Sequence, residues 1–474
     1  MLSPLLYALF INGLVHELNA LGLGLEIGGT LVCALLYADD IVLLTKDRYR
    51  LQTMLDTVAS YAKKWRFELN PKKSEVVVFG LRFPPRGVEW RLGESRIRQV
   101  TQYKYLGIEL TRTLRWAPYR KRILRKARRN MTHALSMGIS GGFMSTKMAT
   151  VIWMSLVRSI IEYGCEIWGE RDFSEFEKLQ LEMGRRILRC GITMPEEAVR
   201  GELGWERQKA RRDEMRLRLW AKLVRMPEAR IAKKLYRESR ARMEQEEREG
   251  KLDKTDTWCL YTRDLLMELG LEAVWREERV ADEWNSIVRS KIHEREQIRW
   301  RTRCLIRPKL RTYALLKKEL KMEPYLDDLT IRGGIPELAK LRGGANRLRI
   351  EQGRYVKERV EERLCLLCQE KKVEDEHHFL LDCPFYDRER KKLWSQVERI
   401  TGTRECDLVS REQRLNALVG DYFQASEPSP NESREQQEQR KEEEATYRAL
   451  AKAVMVYVIT AMRKRREKLK PSEP

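Results

Sequence analysis

The spacing of apolar side chains changes several times along the first hundred residues. Residues 1–20 are nearly continuous in apolar character and predict a helix, which ends at a cluster of glycines. Residues 30–36 and 41–45 are short apolar runs with β-branched side chains around a polar centre, a pattern typical of a β-hairpin. Helical spacing returns over 49–65, and the run EVVVFG at 75–80 predicts a strand. This region is therefore predicted to combine helices with small sheets.

Beyond about residue 115 the pattern is almost wholly helical. One predicted helix has an apolar stripe with basic side chains on its other faces, the stripe being Leu124, Ala127, Met131 and Leu135. Ser174 and Glu177 have the spacing of a capping box and predict the start of another helix. The chain as a whole is predicted to be α+β.

The last fifty residues have a different composition. Residues 425–446 contain almost no apolar side chains, so we expect a disordered linker or a solvated helix there. A basic amphipathic helix is expected over 447–474. Its basic cluster at 463–466 fits a nuclear-import or nucleic-acid patch, and it fits equally well the cations that commonly end a helix.

Charge and cysteine content narrow the functional classes. The 474 residues include 93 Lys and Arg against 71 Asp and Glu, a net charge of +22 that is spread along the chain. This excess favours a polyanionic partner, of which nucleic acid is the simplest, although most surface charges are merely solvated. The nine cysteines are irregularly spaced and follow no secretory signal, so we expect free thiols. Charged residues interrupt both long apolar stretches, so we expect no membrane span and a protein of the nucleus or cytoplasm.

Asp39 and Asp40 lie at the centre of the apolar stretch LVCALLYADDIVLLTK, residues 31–46. At the tip of a hairpin, two carboxylates can hold a divalent cation between themselves and a phosphate-bearing substrate. Acidic residues are also ordinary turn formers, and spacing alone favours this second interpretation.

The residues around this pair resemble a known family. The sequence contains, in order, LSPLLYALFINGL (2–14), YADD (37–40), ELNPKKSEVVVF (68–79) and YKYLGI (103–108). In that order and spacing they resemble the palm of reverse transcriptases of the non-LTR retrotransposon kind. The ordered set is much more specific than any one of its parts. The resemblance implies an RNA-directed DNA polymerase that uses two-metal nucleotidyl transfer.

The resemblance assigns roles to residues of the YADD motif. By position, Asp39 is the Mg²⁺ ligand and Asp40 is the supporting carboxylate. Tyr37 and Ala38 shape the floor beneath the primer end. The implied partners are an RNA template, a DNA primer or target, and deoxynucleotides.

Two further motifs complete the implied centre. Asn70 and Lys73 match the motif that follows YADD, whose lysine helps to protonate the leaving pyrophosphate. The hairpin that grips the primer strand is matched by Tyr105, Leu106 and Gly107.

Departures from the family pattern lower the expected activity. Relatives carry a Gln-Gly pair before the LSPLL run and, further upstream, a motif with another metal-binding Asp, whereas this sequence begins at Met1 directly before that run. We therefore expect an N-terminally truncated polymerase that lacks the fingers and the first catalytic Asp and is incomplete and inactive as this chain alone. The alternative is a catalytically dead remnant of such an element that still binds nucleic acid.

A second cluster lies in CLLCQEKKVEDEHHFLLDCPFY, residues 365–386. A CxxC pair with a histidine and a third cysteine close behind has the spacing of a tetrahedral zinc site. The predicted ligands are Cys365, Cys368, Cys383 and one histidine, either His377 or His378. The segment also resembles the zinc-binding module downstream of many such reverse transcriptases, and that resemblance selects His378. Four protein ligands imply a structural Zn²⁺, distinct from the Mg²⁺ expected at the aspartates.

The resemblance also divides the chain. It implies a partial palm with the YADD hairpin and primer grip over 1–110, thumb-like helices over 111–200, a basic helical linker over 201–355, a zinc-binding module over 356–395, a helical segment over 396–424, a disordered or solvated linker over 425–446 and a basic helix over 447–474. Basic thumb helices would follow a duplex backbone, and the phosphate contacts expected there are Arg122, Arg125, Arg128 and Arg129. Each of these arginines can also be an ordinary surface residue, and for any one of them taken alone this second interpretation is favoured. The oligomeric state stays open.

Overall fold

The computed structural model describes residues 3–80, 87–251, 257–327, 330–331, 333–420 and 433–469. The chain forms two compact units. The first unit is built from residues 1–123, 164–170 and 213–288, and the second unit from residues 124–163, 171–212 and 289–474. Most of the described chain is helical, and its strands lie before residue 112. This arrangement agrees with the predicted α+β class.

The strands of the first unit form small separate sheets. They are β1 (Leu25–Ile27), β2 (Thr30–Val32), β3 (Ala34–Tyr37), β4 (Asp40–Leu43), β5 (Glu75–Val77), β6 (Trp90–Leu92), β7 (Ser95–Val100), β8 (Gln102–Tyr105) and β9 (Ile108–Thr111). Antiparallel hairpins join β1 with β2, β3 with β4, and β8 with β9. β7 pairs in parallel with β5 and antiparallel with β6. The predicted hairpin around the aspartate pair is thus confirmed.

Helices make up the rest of both units. They are α1 (Ser3–Ala20), α2 (Arg48–Trp65), α3 (Ala117–Ala134), α4 (Thr146–Ile152), α5 (Ser159–Ile161), α6 (Cys165–Trp168), α7 (Ser174–Ile187), α8 (Glu196–Leu203), α9 (Gln208–Arg225), α10 (Ile231–Arg248), α11 (Thr257–Glu268), α12 (Glu272–Glu277), α13 (Trp284–Ile306), α14 (Arg311–Leu316), α15 (Gly334–Arg342), α16 (Arg349–Tyr355), α17 (Asp387–Thr401), α18 (Arg411–Val419) and α19 (Arg434–Lys468). Short π-helical turns span Leu135–Ile139, Trp153–Arg158 and His378–Asp382. Short 3₁₀ turns span Pro308–Leu310, Pro324–Asp327, Val360–Glu362, Pro384–Tyr386 and Glu405–Asp407.

The core between α1 and α2 fixes the base of the β3–β4 hairpin. Its buried members are Ile11, Leu14, Leu18, Cys33, Met54, Val58 and Tyr61. Leu36 and Ile41, which pair across the hairpin, pack against this core. The two helices approach closely at Gly13, where a Cβ would lie 2.6 Å from Oη of Tyr61. The hairpin tip therefore extends from a well-packed support.

The prediction of a capping box at Ser174 and Glu177 is wrong. Ser174 is the first helical residue of α7, and no side chain caps that end. Glu177 instead accepts hydrogen bonds from the backbone N–H groups of Gln208 and Lys209, at 3.1 and 2.9 Å. It thereby caps the start of α9, where a carboxylate interacts favourably with the helix dipole. Local spacing shows that a carboxylate can cap a helix but not which helix it caps.

The C-terminal helix begins earlier than predicted. α19 starts at Arg434 rather than at residue 447, because Ser433 and Gln436 form a capping box ahead of a run of good helix formers. Most of the side chains over 434–446 are exposed, as in the solvated-helix alternative for this segment. The rest of the predicted linker, 425–432, lies outside the described residues.

A buried ion network holds the middle of the second unit together. Arg342 pairs with Glu202 and Glu323, both at 3.1 Å, and Lys317 pairs with Glu323 at 2.5 Å. The Tyr447 hydroxyl of α19 donates to Glu323 at 2.7 Å. Two cations and two anions therefore balance inside the core, as buried charges require.

Candidate active site and metal centre

Three thiols and one imidazole meet at one point in the second unit. The ligand atoms of Cys365, Cys368, His378 and Cys383 all lie within 4.8 Å of one another. Sγ of Cys365 is 3.9 Å from Sγ of Cys383, and Sγ of Cys368 is 3.4 Å from Nε2 of His378. A tetrahedral Zn²⁺ with bonds of about 2.3 Å to sulfur and about 2.0 Å to nitrogen has edges of about 3.8 and 3.5 Å. The group therefore fits a four-coordinate metal ion.

The local backbone brings the two halves of this group together. Cys365 donates its N–H to the Lys372 carbonyl at 2.8 Å, which closes a tight loop around the CxxC pair. The His378 N–H donates to Oδ1 of Asp375 at 2.8 Å and starts the π-helical turn that leads to Cys383. His377, the alternative in the sequence, is not a member of the group.

The protonation of the group suits a metal ligand set. The hydrogen bond between Cys365 and Cys383 lowers the pKa of Cys365 to about 3, and the same bond raises the pKa of Cys383. Burial opposes loss of the proton from both thiols, and the hydrogen bond between them favours its loss from Cys365. Nδ1 of His378 is buried and has no hydrogen-bond partner in the described structure, while Nε2 lies among the sulfurs. Thiolates with an imidazole are the ligands that zinc favours.

Two buried glutamates connect the loop of this metal module, residues 365–383, to the rest of the second unit. Glu374 accepts two hydrogen bonds from Arg465 of α19, at 2.8 and 2.7 Å. Glu376 accepts hydrogen bonds from Arg311 at 2.7 Å and from Asn346 at 2.8 Å. The sequence analysis missed both glutamates, because their partners lie far away along the chain.

The Asp39–Asp40 pair lies at the tip of the β3–β4 hairpin in the first unit. Tyr37 pairs with Asp40, so Ala38 and Asp39 form a two-residue turn. Ala38 has a φ of 50°, a left-handed conformation that costs a residue with a Cβ about 1 kcal/mol. All four of these residues are exposed. The turn therefore presents both carboxylates to solvent from a base that the core fixes.

Three tyrosines lie near these carboxylates. Partial burial raises the pKa of Tyr7, and the negative charge of Asp39 raises it further. Partial burial and the charge of Asp40 raise the pKa values of Tyr103 and Tyr105 in the same way. Tyr7 on α1 and Tyr103 and Tyr105 on β8 therefore lie within reach of the charges on the turn. Of the predicted site residues, the structure thus brings Tyr105 close to Asp40.

Asn70 shapes the loop that carries Lys73. Its side-chain Oδ1 accepts hydrogen bonds from the backbone N–H groups of Lys72 and Lys73, at 3.1 and 3.3 Å. The Ser74 hydroxyl donates to the Asn70 carbonyl at 3.0 Å. Tyr103, whose ring lies near Asp40, donates its hydroxyl to the Lys73 carbonyl at 3.5 Å. The exposed Lys73 amino group thus extends from a loop that borders the aspartate hairpin.

The predicted primer-grip hairpin is the tight turn between β8 and β9. Leu106 and Gly107 have φ values of 44° and 84°, the positive values typical of two-residue hairpin turns. Arg122 donates from Nη2 to the Gly107 carbonyl at 2.8 Å and from Nε to Glu109 at 3.0 Å. Arg122, predicted as a phosphate contact, therefore positions the turn that begins at Tyr105.

The other three predicted thumb arginines belong to the second unit. Arg128 is exposed and pairs with Glu182 at 3.3 Å. Arg125 and Arg129 are exposed and form no ion pair with a described residue. Only these last two keep a guanidinium group fully available to an external anion.

The aspartate pair differs from the cysteine group in its number of ligands. Within the described ranges, the Cys₃His group is the one set of three or more potential ligands that could hold a metal ion. Asp39 and Asp40 therefore have no third carboxylate beside them in this part of the chain.

The aspartate turn and the residues around it lie in the part of the chain that matches a known protein family. Residues 1–110 match the family model described as reverse transcriptase (RNA-dependent DNA polymerase). Over these residues the chain is similar to reverse transcriptases. This matched segment contains the aspartate hairpin, the Asn70 loop and the β8–β9 turn, while the metal module lies outside it.

Three relatives carry retroelement names. The chain is 29% identical over 158 residues to a "Probable RNA-directed DNA polymerase from transposon BS" of Drosophila melanogaster, a match that covers 32% of this chain and 17% of the relative. A polymerase from the X-element of the same organism is 24% identical over 201 residues, with 40% and 21% covered. The Pol polyprotein of the type-2 element R2DM is 30% identical over 122 residues, with 24% and 11% covered. The chain thus spans about a fifth or less of the curated relatives that it matches.

The matched segment contains two aromatic neighbours of the aspartate pair that the sequence analysis missed. Tyr7 and Tyr103 both lie inside quoted motifs, LSPLLYALFINGL and YKYLGI, and position relative to the family pattern could have identified them. In the described part of the chain, none of the helices has the length and apolar character that crossing a bilayer demands.

Proposed function

We propose that this chain is part of the RNA-directed DNA polymerase of a non-LTR retroelement. In this proposal residues 1–110 form part of a right-hand polymerase palm, and the reaction is two-metal addition of deoxynucleotides to a primer on an RNA template. The supporting observation is that the turn carrying Asp39 and Asp40 is bordered by Tyr105 and by the Lys73 loop, within the residues that match the family.

Each element of the turn has a role in this proposal. Asp39 binds Mg²⁺ and Asp40 supports it, because hard carboxylate oxygens are the ligands that Mg²⁺ prefers. Tyr37 and Ala38 lie beneath the primer end. The rigid hairpin is important because phosphoryl transfer depends on holding metal, primer and nucleotide in one geometry.

The surrounding loops would contact substrate. Lys73 is proposed to protonate the leaving pyrophosphate from the loop that Asn70 holds. The turn from Tyr105 to Gly107 is proposed to contact the primer strand, with Arg122 as its positioning residue.

Asp39 and Asp40 alone form a weak metal site. A pair of exposed carboxylates without a third gives few protein ligands, so we expect weak Mg²⁺ binding and little nucleotidyl transfer by this chain alone. This same observation favours the second candidate function, a nucleic-acid-binding remnant without catalysis.

The Cys₃His group is proposed to hold a structural Zn²⁺. All four positions of a tetrahedral ion would be occupied by protein, so no open position is left for substrate. Zinc would fix the loop from Cys365 to Cys383 and stabilise this part of the second unit.

Manganese provides a direct test, because Mn²⁺ replaces Mg²⁺ and is visible by electron paramagnetic resonance. In a titration of the full chain with a primer–RNA template and a deoxynucleotide, we expect Asp39→Ala to weaken Mn²⁺ binding several-fold. Asp282→Ala, which removes an exposed aspartate of the same unit, should change nothing. Equal binding by wild type and Asp39→Ala would contradict the proposed metal site.

Primer extension by the same preparation separates the two candidate functions. Extension that Asp39→Ala abolishes would show a working polymerase and would overturn the expectation of weak activity. Metal binding without extension is the result expected for this chain alone. Binding of the template without any metal effect would favour the remnant.

A further inference from the structure

A basic cavity lies in the second unit where α7 and α19 end. Its volume is about 500 Å³, within the range of about 300–1,000 Å³ typical of ligand sites. Seven arginine or lysine side chains and one glutamate line it. Lys340 pairs with that glutamate, Glu337, at 3.2 Å, and Arg465 pairs with Glu374 at 2.7 Å. The other five basic side chains form no ion pair with a residue in the described ranges. These five are Arg185, Arg186, Arg189, Arg347 and Arg466.

Two of the five unpaired guanidinium groups are partly withdrawn from water. Nε of Arg185 is buried without a hydrogen-bond partner among the described residues, while its Nη2 donates to the Met194 carbonyl at 3.1 Å. Burial lowers the pKa of Arg189, whose guanidinium packs over Gly142. Removing a charge from water without a counter-charge costs free energy. An anion in the cavity would offset that cost.

Helix ends explain only part of this charge. Arg185 and Arg186 lie in the last turn of α7, and Arg465 and Arg466 lie in the last turn of α19, where cations complement the helix dipole. Each helix end contributes roughly half a negative charge, so two ends offset about one of the five unpaired cations. The cavity keeps a strong positive potential.

We propose that this cavity binds the phosphodiester backbone of a nucleic acid. Arginine forks match phosphate oxygens in geometry as well as charge. No aromatic residue appears among the described residues that line the cavity, so no stacking platform for bases is present. The site therefore contacts phosphates without reading sequence. The inference extends the proposed function, in which nucleic acid is already the substrate, to a surface outside residues 1–110.

The metal module holds one side of this cavity. Arg465, which lines it, is fixed by Glu374, and Asn346, which also lines it, donates to Glu376 at 2.8 Å. Both glutamates belong to the loop between Cys368 and His378. A metal ion in that loop would therefore stabilise the wall of the cavity without contacting the nucleic acid bound there.

Salt dependence of binding tests the proposal, because each released phosphate contact changes the slope of log K against log[salt] by about 0.7 for a single strand. The probe is a fluorescein-labelled, mixed-sequence RNA of about 20 nucleotides, measured by anisotropy with the full chain between about 50 and 200 mM KCl. The test variant is R186A/R189A/R347A. The control variant K178A/K441A/K452A removes three exposed cations of the same unit that do not line the cavity.

We expect the slope of the test variant to be smaller than that of wild type by about 2, whereas the control keeps the wild-type slope. Equal losses in the two variants, or no loss in the test variant, would overturn the proposal. Because Arg189 is half-buried, R186Q/R347Q is measured as well, and its slope should fall by about 1.4 without any change in thermal unfolding.

Two further measurements separate this site from the alternatives. The first is a titration with inorganic phosphate. If the test variant lost affinity for phosphate but kept the wild-type salt slope for RNA, the cavity would be a small-anion pocket and the proposal would be wrong. Asp39→Ala should leave the RNA slope unchanged, and the test variant should leave Mn²⁺ binding unchanged. The proposed metal site at the aspartate turn and the proposed phosphate site in the cavity are therefore tested by separate measurements, and either can be refuted without the other.

Discussion

The Arg465 guanidinium and the Glu374 carboxylate form a two-bond ion pair inside the second unit, with Nε–Oε1 at 2.8 Å and Nη2–Oε2 at 2.7 Å. The two side chains are 5% and 1% exposed. Arg465 lies at the end of α19 and Glu374 lies between the ligands of the metal module. One interaction therefore connects the C-terminal helix, the metal module and the wall of the basic cavity.

Replacing Arg465 with methionine should loosen the metal module. The change keeps an unbranched side chain of similar length but leaves the Glu374 carboxylate buried and unpaired, which costs about 3–5 kcal/mol. Hydrogen exchange of amides over 365–383 should report this loss as faster local opening. Arg359→Ala removes an exposed pair with Glu362, which solvent screens, and should leave the opening rate nearly unchanged. Equal exchange rates in the two variants would show that the buried pair stabilises the metal module no more than the exposed pair does.

Zinc content should depend on one of two adjacent histidines. His378→Gln removes the imidazole whose Nε2 lies 3.4 Å from Sγ of Cys368, and we expect the purified variant to lose most of its zinc. His377→Gln changes the neighbour that lies outside the ligand group and should keep one zinc per chain. Elemental analysis of metal per protein decides between them. Zinc loss in the His377 variant alone would reassign the ligand.

The thiol of Cys190 should react slowly at neutral pH. Burial raises its pKa to about 11, although the nearby Arg185 lowers it in part. Only the thiolate is nucleophilic, so at pH 8 about one molecule in a thousand is reactive, and the rate should rise about tenfold per pH unit up to pH 10. Iodoacetamide labelling followed by mass spectrometry measures this, with the exposed Cys406 as the internal reference. Labelling of Cys190 as fast as Cys406 at pH 8 would contradict the prediction.

Arg122 and Arg125 should respond differently to alanine substitution. Arg122→Ala removes two hydrogen bonds that hold the β8–β9 turn, so amides near Gly107 should exchange faster. Arg125→Ala removes an exposed cation that the resemblance to a polymerase thumb assigns to a phosphate contact, so it should lower the salt slope of RNA binding by about 0.7 and leave exchange unchanged. If Arg122→Ala lowered the slope without affecting exchange, its positioning role would be wrong.

Local patterns in the sequence predicted the parts of the fold that local forces determine. The hairpin around Asp39 follows from two apolar runs with a polar centre, and α1 and α2 follow from the spacing of residues that pack on one core. The four metal ligands lie within nineteen residues, so their grouping was visible in the spacing of cysteine and histidine.

Long-range partners limited the rest of the prediction. Glu177 has the spacing of a local cap but caps α9, thirty-one residues further along the chain. Arg122 looked like a free thumb arginine because its partners, Gly107 and Glu109, lie on a separate hairpin. The basic cavity has no motif at all, since segments around residues 186, 347 and 466 meet only in the folded chain.

The position of α19 has a consequence for synthesis of the protein. Tyr447 and Arg465 complete contacts with Glu323 and Glu374, yet they leave the ribosome well after both glutamates. The cysteines of the metal module emerge earlier, before this helix can pack against the module. A stop codon between residues 383 and 447 would therefore yield a chain with every metal ligand but without the helix that packs the module, and such a product would be a substrate for oxidation and proteolysis.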